Sequence, residues 1–131
     1  MTDTTDGVPQ SLRTMFVVHF IADLLFAVPL IAAPALMGEL VGHPGIDPLM
    51  ARLVGAALVG IGTESLLGRR ATRASFLTML RLKMLWSGTA TAGIALSIAQ
   101  GAPLVAWGLL AIFGVFFIIW SSFFMRLKKS P

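Results

Sequence analysis

The chain has no cysteine, two histidines and few charges: 12% of its 131 residues are Asp, Glu, Lys or Arg. Without cysteine there is no disulfide framework and no thiolate metal site. A soluble domain carries about 25% charged residues, so a fraction this low excludes an ordinary water-soluble globule. A nucleic-acid-binding domain is excluded too. The basic balance, with sequence pI ≈ 10.8, rests on only ten Lys and Arg, and most of them fall where topology markers belong. No phosphate-cradling G-x-x-x-x-G-K-[ST] or G-x-G-x-x-G motif is present. The two histidines, His19 and His43, are expected at opposite ends of the molecule, which leaves a bis-histidine haem without its second ligand. Neither a cofactor nor a metal is expected.

What is there is apolar. Hydrophobic residues make up 56% of the chain, and its mean hydropathy is +0.87. A bilayer core about 30 Å thick needs about 20 apolar residues of helix. The chain offers four such runs, at about residues 14–35, 48–67, 76–99 and 103–125. The fold expected is an all-α, four-helix integral membrane bundle forming one domain. Strands are excluded because the runs do not alternate with period 2, and an open sheet leaves edge groups unpaired in lipid. Asp47-Pro48 reads as an N-cap followed by proline at the first helical position. Gly68 reads as a C-cap glycine, and Gly101 with Pro103 separates the last two runs. So short a link makes those two runs antiparallel neighbours. Pro29 removes a backbone donor inside the first run and predicts a kink. Pro34 is expected to end that helix, leaving residues 35–47 as an outer, interfacial segment. The apolar run after Arg13 is too long for a secretory signal core.

Lys and Arg gather on the cytoplasmic side of a membrane protein. With four crossings, Arg13, the cluster Arg69, Arg70 and Arg73, the pair Arg81 and Lys83, and Arg126, Lys128 and Lys129 all fall on one side, leaving Arg52 on the other. Both termini are therefore expected in the cytoplasm, with the protein in the cell inner membrane.

Charges inside spans cost about 2.5–3.5 kcal/mol each on the insertion scale, so they mark candidate sites. His19 and Asp23 stand one turn apart on one helix face. Asp23 is about 13 Å deep at the helical rise, with no basic residue at its own level, and is the candidate for a proton-responsive group. Glu64 heads a stripe with Ala56 and Gly60, and Arg81 one with Leu85, Gly88 and Ala92. Small residues mark helix contacts in membranes, so Glu64 and Arg81 are expected to face the bundle interior, while Lys83 snorkels to the headgroups. A network of His19, Asp23, Glu64 and Arg81 follows. It serves either as a structural set of ion pairs or as a site in which Asp23, Glu64, Arg81 and Trp86 line a binding pocket. The last run, rich in phenylalanine, reads as a lipid-facing helix with Trp107 and Trp120 at the two interfaces.

The run Ala51-Arg52-Leu53-Val54-Gly55-Ala56-Ala57-Leu58-Val59-Gly60-Ile61-Gly62, followed by Arg69-Arg70, resembles the R-x-x-G-x-x-x-x-G-x-G second helix of the DoxX-like group of small four-helix bacterial membrane proteins. That resemblance implies a link with redox or quinone-related membrane complexes. A carboxylate in the first span is also a feature of small multidrug-resistance transporters, which are similar in length and helix number. Three functions stay open. The first is a non-enzymatic subunit or a module binding a lipid-like or quinone-like ligand, as a homo-oligomer or within a larger membrane complex, in contact with membrane lipid. The second is a proton-coupled transporter or channel using Asp23. The third is an acid–base enzyme acting on a lipophilic substrate with His19, Asp23 and Glu64.

Overall fold

The computed structural model describes residues 7–129; Asp3 and Asp6, read as part of a polar N-terminal tail, lie outside them. Among the described residues there are five α-helices, one turn of 3-10 helix and no strand. The helices are α1 (Gln10–Ala32), α2 (Pro34–Leu40), α3 (Pro48–Leu67), α4 (Arg73–Ala99) and α5 (Val105–Lys129), with the 3-10 turn at Gly68–Arg70. Three segments are long and apolar enough to cross a membrane: Gln10–Ala32, Pro48–Arg70 and Val105–Lys129. The fourth expected crossing corresponds to α4. At 27 residues it has the length, but Arg73, Arg81, Lys83 and its Ser and Thr residues dilute its apolar content.

Local chemistry sets the helix ends. Asp47 is the N-cap of α3 and accepts a 2.7 Å hydrogen bond from the Met50 amide, with Pro48 in the first turn. Asp47→Ala leaves that amide without its cap and should cost about 1 kcal/mol, measurable as earlier loss of helical circular dichroism in a denaturant titration. Thr72 caps α4 in the same way, accepting from the Ser75 amide. At the end of α2 the Gly42 amide donates to Glu39 and the His43 amide to Gly38, with Gly42 at φ 71°. At the end of α4 the Gly101 amide donates to Ile98 and the Ala102 amide to Ser97, with Gly101 at φ 88°. Both are Schellman motifs, in which a left-handed residue lets the chain fold back and bond the last carbonyls.

Two expectations about helix ends change. Pro34 ends α1 but also opens α2, because proline suits a first helical turn; part of the outer segment is therefore helical. Gly68 is the C-cap of α3 in a right-handed conformation, φ −76°, so the chain continues into the 3-10 turn without needing glycine's freedom. α1 itself runs through Pro29 as one helix.

The described residues divide into two compact units, 10–70 in one and 71–129 with 7–9 in the other. In the first, α1 packs antiparallel to α3. The Arg13 guanidinium donates to the Arg69 carbonyl, Asp23 lies against Gly62, and Ile31 lies against Gly55. The buried stripe of α1 is Leu12, Phe16, His19, Asp23 and Ala27; that of α3 is Ala51, Gly55, Leu58, Gly62 and Ser65. Glycines let helix backbones approach closely, and in lipid that van der Waals contact drives association. A Cβ on Gly55 meets an Ile31 side-chain carbon at 2.6 Å and the Ala27 carbonyl oxygen at 3.2 Å.

In the second unit α4 and α5 are antiparallel, as the short link between them implies. Arg73 donates to the Leu127 carbonyl, Lys83 lies over Trp120, Trp86 meets Phe113, and Gly88 receives Phe117. The buried side of α4 is Phe76, Met79, Leu80, Lys83 and Ser87. The buried hydroxyls of Ser65 and Ser87 each donate to the carbonyl four residues back, which satisfies them inside their own helices.

Candidate functional site

Of the four network residues, the first unit brings two together. His19 and Asp23 are both buried, and His19 Nδ1 stands 3.0 Å from Asp23 Oδ2. The distance is that of an ion pair, yet Oδ2 has no donor aligned for a hydrogen bond. The two groups are thus in contact without a directed hydrogen bond to Oδ2. Asp23 is only 7% exposed, and it fits because the facing residue on α3 is glycine. A Cβ at position 62 meets the Asp23 Cβ at 2.9 Å and Oδ2 at 3.1 Å.

Glu64 does not join them. Gly62 is the α3 residue turned toward Asp23, and two residues further on a helix points about 200° away. Glu64 is exposed, and so are Ala56 and Gly60. The expected inner stripe of α3 is thus an outer one. The inner stripe, Ala51, Gly55, Leu58, Gly62 and Ser65, is also rich in small residues, so residue size did not separate the two faces. An acid–base centre needs its groups within reach of one atom, and Glu64 lies on the wrong face of α3 to complete one with His19 and Asp23. Among the described residues no three His, Asp or Glu side chains gather as a metal-holding group.

In the second unit the expected roles of Arg81 and Lys83 are exchanged. Arg81 is exposed, while Lys83 is 3% exposed with Nζ 5.1 Å from the centre of the Trp120 ring. A desolvated cation over indole is worth about 2 kcal/mol, which helps to explain why Lys83 stays inside. Trp120 also stacks on Phe116 at 5.8 Å and is 1% exposed; it is a core residue, not an interface anchor. Trp107, at 57%, keeps an exposed position. Trp86 is half-buried, edge-on to Phe113 at 6.4 Å. The signal for Lys83 was its register. Phe76, Leu80, Lys83 and Ser87 repeat at helical spacing with two bulky apolar residues, a stronger marker of an inner face than the small residues after Arg81.

Several basic residues read as topology markers also close helix ends. Arg13 Nη1 donates to the Arg69 carbonyl at 2.7 Å, Arg69 Nη1 to Leu66 at 2.6 Å, and Arg73 Nη2 to Leu127 at 2.7 Å. Cations at helix C-termini satisfy orphan carbonyls and complement the dipole. Arg52, the exception to the charge asymmetry, does the same: its Nε donates to the Ile31 carbonyl at 3.2 Å, where α1 stops. Along the outer face of α1, Phe20, Ile21, Leu24, Leu25, Val28 and Pro29 line an open apolar depression of about 420 Å³. No family model matches the chain, and neither a curated protein nor a solved structure matches it.

Proposed function

We propose that the chain is a multi-pass protein of the cell inner membrane, a four-helix bundle with both termini cytoplasmic. We propose that it acts as a non-enzymatic subunit or lipophilic-ligand-binding module of a membrane assembly. The observation that carries this is the placement of Glu64 and Arg81 off the faces by which α3 meets α1 and α4 meets α5. A charge in a span costs up to about 2.5–3.5 kcal/mol, and a partner that pairs with it offsets that cost. The apolar depression on α1 suits a lipid-like or isoprenoid tail. The DoxX-like character of residues 51–70 agrees with such a role.

Two arguments favour α4 as the fourth crossing. It runs beside α5 from the Arg73–Leu127 contact to the Gly88–Phe117 contact, so it shares the depth that α5 spans. Four crossings also keep nine of the ten basic residues on one side, as the asymmetry of Lys and Arg requires; three would send the C-terminal cluster to the other. The chain has no native cysteine, so single-cysteine variants report topology directly. Cysteines at positions 71 and 128 should react with an impermeant maleimide only in inside-out vesicles, and one at position 102 only in right-side-out vesicles. Labelling of 71 and 128 from opposite sides overturns the four-crossing arrangement. For the role itself, native mass spectrometry of gently extracted protein should show more than one chain or a bound lipid-like molecule, and proteoliposomes should hold an imposed pH gradient.

The buried His19–Asp23 pair favours a second reading, a proton-coupled transporter or channel. It predicts pH-gradient dissipation in proteoliposomes that Asp23→Asn abolishes. A wild type that dissipates no gradient ends that reading.

A further inference from the structure

We draw no further inference here: the strongest candidate, the open apolar depression of about 420 Å³ along the outer face of α1, carries nothing because nothing in the structure shows what covers it.

Discussion

Trp120→Ala lowers the unfolding free energy of the detergent-solubilised chain by about 3–5 kcal/mol, the range for deleting a buried aromatic side chain. Trp107→Ala changes it by about 0.5 kcal/mol or less. Both residues lie on α5 and both read from the sequence as interface tryptophans. Trp120, however, is enclosed, stacks on Phe116 and takes the Lys83 ammonium over its ring. Its removal opens a cavity and leaves a buried lysine without the ring, a second cost on top of lost packing. Titration with sodium dodecyl sulfate, followed by circular dichroism, measures both variants. Equal losses at the two positions overturn the assignment of Trp120 to the core.

Gly62→Leu is the second large effect. The new side chain starts 2.9 Å from the Asp23 Cβ and 3.1 Å from its carboxylate oxygen, so α1 must move away or Asp23 must leave its position against His19. Overpacking of this kind costs about 1–3 kcal/mol. Displacing a carboxylate buried at that depth adds to it. Gly60→Leu, two residues away on the same helix, meets open space and leaves the unfolding curve of chains held one per micelle unchanged. A helix whose tolerance reverses within two residues has one inward face, and the pair of variants reads which face that is.

The elements are largely legible in the sequence, and the rotation of each helix is not. The 48–67 run is α3 to the residue, because Asp47 and Pro48 mark its start with side-chain chemistry. Gly101 and Pro103 likewise mark the turn between α4 and α5. His19 and Asp23 are legible together because their pairing is local to one helix. Glu64, Arg81 and Lys83 all lie on faces opposite to those expected. In water a helix betrays its inner face by polarity, but a membrane helix is apolar all round, and only size and rare charges remain as guides. On α3 size points two ways, since Gly55 and Gly62 lie on one face and Ala56 and Gly60 on another. On α4 the inner face holds a lysine, which polarity alone assigns to the outside; the aromatic ring that accommodates it comes from α5, 37 residues along the chain.

The arginine clasps bear on the order of events in time. Arg13 reaches Arg69 at the open end of the α1–α3 pair, and Arg73 reaches Leu127 at the open end of the α4–α5 pair. The contacts that close the first pair all lie within Gln10–Arg70, so they require no residue made after Arg70. At about 5–20 residues per second, the remaining 61 residues take about 3–12 s to appear. During that interval the first pair already has every residue that ties its ends, while Leu127, whose carbonyl Arg73 meets, is still to come. The order of synthesis thus lets the α1–α3 pair close before the α4–α5 pair can, and the Arg70–Ala71 bond, where one unit gives way to the other, is where the first step ends.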